Sequence, residues 1–119
     1  MPGPTVTVDL KVRKKGAITI SVDPWEVHCA LGETVQWNFT GDVTSGSVSP
    51  EYKSRVWPFA GPNPPLKGTK KKNARTGKRT RRTLTAKVVP YRVTMQFKDP
   101  TDQHLRSASV DPDMVIDGS

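Results

Sequence analysis

The chain has 119 residues, 34% of them hydrophobic, and a formal net charge of +8 from 19 Lys and Arg against 11 Asp and Glu. The length suits one small domain, and no run approaches the roughly 18–20 apolar residues of a membrane span. A single cysteine, Cys29, excludes an internal disulfide and a cysteine-based zinc site. The composition therefore excludes a membrane-spanning protein, a disulfide scaffold and a large α/β enzyme. The first residues lack a basic region followed by an apolar stretch, so we expect no secretory signal and a cytoplasmic location.

The first third of the chain predicts short strands. Apolar and polar residues alternate over 5–13, 18–22, 25–31 and 35–39. Period-two alternation rich in β-branched residues is typical of strands with one buried face. The predicted buried face of the third segment carries Trp25, Val27, Cys29 and Leu31. Turns are predicted at Asp23-Pro24 and Gly32-Glu33.

The middle of the chain is irregular, and the pattern returns near the C-terminus. Residues 44–50 are small and polar, and 61–65 contain three prolines. Alternation resumes at 83–88, is strongest over 91–97, and a last strand is predicted within 107–117. About seven short strands separated by turns, with no helical period, predict an all-β domain. We expect a single domain over residues 1–119, an antiparallel β-sandwich.

Positive charge is concentrated in one stretch. No acidic residue occurs between Glu51 and Asp99, and nine Lys and Arg occur within residues 67–82. Because so dense a run repels itself unless anions or solvent screen it, and because it contains few apolar residues, we predict a basic loop or arm at about 61–82.

The predicted strands resemble those of a cupredoxin-like domain. The resemblance rests on the strand closing in Val22-Asp23-Pro24, the turn at Gly32-Glu33, the Val35-Gln36-Trp37 strand, and the late segments 91–97 and 109–117. It covers about half of the chain and implies a Greek-key β-sandwich.

The copper site of that family is not carried over. A blue-copper site needs two His, one Cys and usually a weak Met ligand. The resemblance places the Cys, the Met and one His in the loop between the last two strands, which here contains His104 but neither Cys nor Met. His28 and Cys29 are neighbours on a predicted strand, so their side chains should point to opposite faces. We therefore expect no metal and no cofactor.

Catalysis is not indicated either. Cys29 shares the apolar face of its strand, and its simplest interpretation is a buried structural thiol. With two histidines and no nucleophile–base arrangement in the sequence, we predict that the protein is not an enzyme.

The basic segment allows two interpretations. It is either a solvated loop that maintains solubility or an anion-binding arm, which would contact phosphates through counterion release. No aromatic residue lies between Phe59 and Tyr91, so base stacking within the arm is not expected. The candidate anion-binding residues are Lys67, Lys70, Lys71, Lys72, Arg75, Lys78, Arg79, Arg81 and Arg82.

Trp57 and Phe59 flank Pro58 in the irregular middle of the chain. They are either a plug that closes one end of the core or an exposed interface anchor, where aromatic residues concentrate.

These observations predict a non-catalytic binding or structural module that engages an anionic partner, either nucleic acid or an acidic protein surface. An anionic membrane surface would satisfy the same electrostatics. Two alternatives remain. A copper-binding electron-transfer or copper-handling protein would require Cys29 to meet His28 or His104 in space. A subunit of a larger assembly would use the basic segment and the Trp57 loop for protein contacts. No small-molecule substrate is indicated.

Overall fold

The computed structural model describes residues 3–51, 57–80 and 88–116. All regular structure in these residues is β-strand. Among them there is no helix of the length and hydropathy needed to cross a bilayer. The strands are β1 (Thr5–Val12), β2 (Ile18–Asp23), β3 (Glu26–Cys29), β4 (Gln36–Gly41), β5 (Val43–Pro50), β6 (Leu66–Gly68), β7 (Ala74–Arg75), β8 (Val88–Lys98), β9 (Leu105–Val110) and β10 (Asp113–Ile116).

The strands form two sheets in a β-sandwich-like arrangement. One sheet has the order β2-β1-β4-β7, and the other has the order β3-β10-β8-β5-β6 with β9 also paired to β8. The predicted all-β class is confirmed. The predicted purely antiparallel pairing is wrong, because β1 pairs with β4 and β10 pairs with β3 in parallel. Parallel neighbours need a crossover connection, which the intervening strands provide. The described strands number ten, more than the predicted seven.

The chain passes from one sheet to the other at several points. It leaves the four-stranded sheet after β2, and at Pro24 there is no amide to continue the ladder. It changes sheets again between β4 and β5, where only Asp42 separates the strands. Gly41 makes this turn with φ of +81°, and a side chain there would also overlap the Leu10 carbonyl oxygen. Asp42 fixes the corner by accepting a hydrogen bond from the Val12 amide at 2.8 Å.

The last strand is interrupted once. Residues of β9 and of β10 pair with β8 in one continuous register, as Val93 opposite Val110 and Val89 opposite Met114 show. Pro112 lies at the break, and its carbonyl accepts a hydrogen bond from the Tyr91 amide at 3.0 Å. The predicted C-terminal strand is therefore divided by Pro112 into β9 and β10, which both pair with β8 in the same register.

The core lies between the sheets, and a hydrogen bond joins two of its aromatic side chains. The indole Nε1 of Trp37 donates a hydrogen bond to the Tyr91 hydroxyl at 3.2 Å, and the two rings meet edge to face at 5.5 Å. Burial raises the pKa of Tyr91 to about 12. The ring of Phe39 packs on Gly46, where a Cβ atom would overlap it. Gly46 therefore leaves the space that the Phe39 ring fills.

Candidate functional site

The basic segment is built into the sandwich. β6 pairs with β5, with Leu66 opposite Val48, and β7 pairs with β4, with Ala74 opposite Trp37. Leu66 and Ala74 are buried in the core. In the described residues of 61–80, where we predicted a basic loop or arm, the chain includes two short strands, one at the end of each sheet.

A tight turn joins these two strands and carries three successive lysines. The Thr69 amide donates to the Lys72 carbonyl at 2.7 Å, and the Lys72 amide donates to the Thr69 carbonyl at 3.3 Å. The Thr69 hydroxyl accepts hydrogen bonds from the amides of Lys71 and Lys72, both at 3.2 Å. These bonds hold the turn so that Lys70, Lys71 and Lys72 are exposed together.

Six of the predicted anion-binding residues lie exposed along this side of the sandwich. We call them the basic edge: Lys67, Lys70, Lys71, Lys72, Arg75 and Lys78. Their described partners are neutral, since Lys70 Nζ donates to the Gly41 carbonyl at 3.1 Å and Arg75 Nη2 donates to Gln36 Oε1 at 2.9 Å. In residues 3–51, 57–80 and 88–116, no ion pair joins the basic edge to a carboxylate.

Arg79 is placed differently from the surface position expected for it. It is only 1% exposed, and its Nη1 donates to the Cys29 carbonyl at 2.8 Å. Its backbone donates to the Glu33 carbonyl at 2.8 Å and accepts from the Gly32 amide at 2.9 Å. Arg79 therefore joins its segment to the end of β3, and its guanidinium is not available to an external anion. Arg81 and Arg82 lie outside the described residues.

Trp57 and Phe59 contribute to packing. Phe59 is 8% exposed and belongs to the core, and Trp57 is half-buried against it with the ring centroids 5.3 Å apart. Their segment lies outside the named strands and is held by hydrogen bonds from the Ala60 amide to Lys78 O at 2.9 Å and from the Thr80 amide to Pro58 O at 3.0 Å. The burial of Phe59 agrees with a core plug and argues against Phe59 as an exposed anchor.

The residues considered for copper are not brought together. Cys29 is fully buried, with its thiol 3.6 Å from the Ala30 carbonyl oxygen. His28 is exposed on the opposite face, where its Nε2 lies 3.1 Å from Glu26 Oε1. His104 is exposed in the loop between β8 and β9. Across the described part of the chain, no three His, Cys, Asp or Glu side chains converge on a common point.

The acidic residues of that loop hold its shape. Asp99 accepts hydrogen bonds from the Thr101 hydroxyl at 2.6 Å, the Thr101 amide at 2.9 Å and Arg106 Nε at 2.7 Å. These bonds, those from Thr101 foremost, lower the pKa of Asp99 to about 2. Asp102 binds the other side of the Arg106 guanidinium at 2.7 Å. Both carboxylates are thus engaged within the loop.

The sequence patterns did not predict that polar side chains of β5 and β8 form one outer face beside the basic edge. Residues 44–50, described above as irregular, lie in β5 (Val43–Pro50), and Ser45 and Ser47 lie next to Gln96 and Thr94 of β8. The alternation in β8 indicated that Thr94 and Gln96 face outward, but β5 gave no such signal. The sequence matches no protein-family model, and no curated protein matches it.

Proposed function

We propose that this chain is a non-catalytic binding module that holds the phosphate backbone of nucleic acid on its basic edge. One observation carries the proposal: six exposed cations lie along one side of the sandwich, without a carboxylate partner in the described residues. Cations placed this closely repel one another, and a polyanion relieves that repulsion. Lys and Arg contacts to phosphates gain affinity by releasing condensed counterions.

The proposed mode of binding reads charge and not base sequence. Phosphate contacts fix the position of a protein on the backbone but carry no sequence information. Stacking on single-stranded bases requires aromatic side chains, and the segment from Ala60 to Thr80 has none. Duplex DNA or RNA, with its dense and regular backbone charge, is therefore the favoured partner.

A cupredoxin-like fold without copper ligands is part of the same proposal. It is supported by the order of the late strands, because β8 is followed by a loop and then by the β9–β10 line. That loop carries His104 but neither Cys nor Met. Since one fold hosts many activities, the proposed function rests on the basic edge and not on this resemblance.

The test is the salt dependence of DNA binding. The triple variant Lys70→Gln, Lys71→Gln, Lys72→Gln changes only exposed side chains of the turn. Fluorescence anisotropy of a labelled duplex, measured over a series of salt concentrations, gives the slope of log K against log salt. We expect the variant to lower this slope by between two and three, because each phosphate contact contributes about 0.9.

A matched control removes the same charge elsewhere. Lys11→Gln, Lys14→Gln, Lys15→Gln takes three exposed cations from β1 and the following turn. In this control, the slope of log K against log salt should stay close to that of the unmodified protein. Equal losses in the two variants would show that net charge alone attracts DNA, and tight binding to poly-glutamate in place of DNA would point to an acidic protein partner. Either result would overturn the proposal.

A further inference from the structure

The outer face of the six-stranded sheet carries rows of small polar side chains beside the basic edge. In one row, Ser47 of β5 lies between Lys67 of β6 and Thr94 of β8, and Ser109 of β9 follows Thr94. Small side chains leave the sheet surface accessible, so a partner can approach its hydroxyl groups closely. The neighbouring row consists of Ser45, Gln96 and Ser107.

The parts of these rows that lie on β5 and β8 form the floor of a groove of about 490 Å³. Two lysines line it, Lys67 from β6 and Lys72 from the turn, together with the Thr69 residue that shapes the turn. Among the residues that the structure describes, no carboxylate and no aromatic side chain lines it. The other polar lining residues are Ser45, Ser47, Thr94 and Gln96.

The groove offers hydrogen-bond donors that the protein itself does not use. The Ser47 hydroxyl has no partner among the described residues. Ser45 donates to Gln96 Oε1 at 3.1 Å, which leaves the amide nitrogen of Gln96 as a donor. Thr94 shares a hydrogen bond with Ser109 at 2.9 Å. The groove thus combines neutral donors on its floor with ammonium groups at its side.

Charge restricts an anion to this end of the face. Farther along the same sheet, Arg92 is paired with Asp111 at 2.8 Å, and the next row contains Asp113 and Glu26. A polyanion lying over that region would meet carboxylates. Near Lys67 and Lys72, a polyanion would instead meet cations and neutral polar groups. The part of this face that suits a polyanion therefore begins at the basic edge and ends near Ser49.

We infer that this groove binds the phosphodiester backbone directly, with Ser47, Thr94 and the side-chain amide nitrogen of Gln96 donating hydrogen bonds to phosphate oxygens. The inference rests on the proposed function and adds to it a position-fixing contact. Ser, Thr and Gln side chains commonly contact phosphates in this way. Lysine also commonly binds phosphate, which it contacts as a point charge.

The double variant Ser47→Ala, Thr94→Ala tests the groove separately from the basic edge. Loss of two neutral hydrogen bonds should weaken duplex DNA binding roughly tenfold. The salt slope should stay unchanged, because neutral side chains release no counterions. The matched control is Thr19→Ala, Ser21→Ala, which removes two exposed hydroxyl groups from β2 on the other sheet and should leave the affinity as it was.

Amide NMR spectra of the unmodified protein supply a second measurement. Titration with an unlabelled duplex should shift the amide signals of Ser45, Ser47 and Thr94 more than those of Thr19 and Ser21. Shifts confined to Lys70–Lys72, together with full affinity in the double variant, would refute the groove while leaving the basic edge intact. Equal groove shifts with poly-glutamate would refute the choice of phosphodiester. Absence of any DNA binding by the unmodified protein would remove both proposals.

Discussion

Removal of the buried Arg79 side chain should destabilise the protein far more than removal of its exposed neighbour. Arg79→Ala deletes the donor that satisfies the Cys29 carbonyl at 2.8 Å, a charged hydrogen bond of about 1.5–3 kcal/mol. The variant also loses the burial of two methylene groups, each of about 0.8 kcal/mol. We therefore expect the free energy of unfolding to fall by about 4 kcal/mol, a large part of the ~5–15 kcal/mol typical of a domain.

Urea denaturation followed by tryptophan fluorescence measures this loss, and Lys78→Ala is the control. Lys78 is adjacent in sequence but exposed, so its removal should change the free energy of unfolding by less than about 0.5 kcal/mol. Arg79→Ala should also leave the salt slope of DNA binding unchanged at temperatures where it is folded. Similar stabilities of the two variants, or a reduced slope for Arg79→Ala, would refute the structural role assigned to Arg79.

Two further predictions concern the core. The raised pKa of Tyr91 means that the folded state keeps a proton that the unfolded chain loses above pH 10, so stability should fall between pH 10 and about pH 12, by roughly 2–3 kcal/mol at most. In Tyr91→Phe, the urea midpoints at pH 8 and pH 11 should therefore lie closer together than in the unmodified protein. If both proteins lost the same stability between these two pH values, the role given to Tyr91 would be wrong. Gly46→Ala should cost about 1–3 kcal/mol because the new methyl group overlaps the Phe39 ring; a melting temperature equal to that of the unmodified protein would show that the ring has room to move.

The sequence predicted strands well wherever one face is continuously apolar. β1 and β8 have such faces, and their buried residues follow the predicted alternation. The sequence did not predict β5 for two reasons. Its buried positions include Gly46, and its pairing register with β8 shifts between Val43 and Ser45. A glycine gives no hydrophobic signal, and only the Phe39 ring packed against it explains its burial.

Long-range partners account for the other differences. Trp25 and Leu31 share the parity of the buried Val27 and Cys29, yet they lie just beyond the ends of β3 and are 46% and 38% exposed. Alternation shows which side a residue faces but not where the covering sheet ends. Local charge density predicts a surface position for Arg79. Its burial depends on a carbonyl group fifty residues away in the chain.

The turn that carries the three lysines links the last strand of one sheet to the last strand of the other. A polymer pulling on Lys71 would therefore load both layers together. Its tension would be divided between the short β5–β6 and β4–β7 ladders, so neither edge would bear it alone. The turn with its three lysines is in this way also a covalent link between the edges of the two sheets.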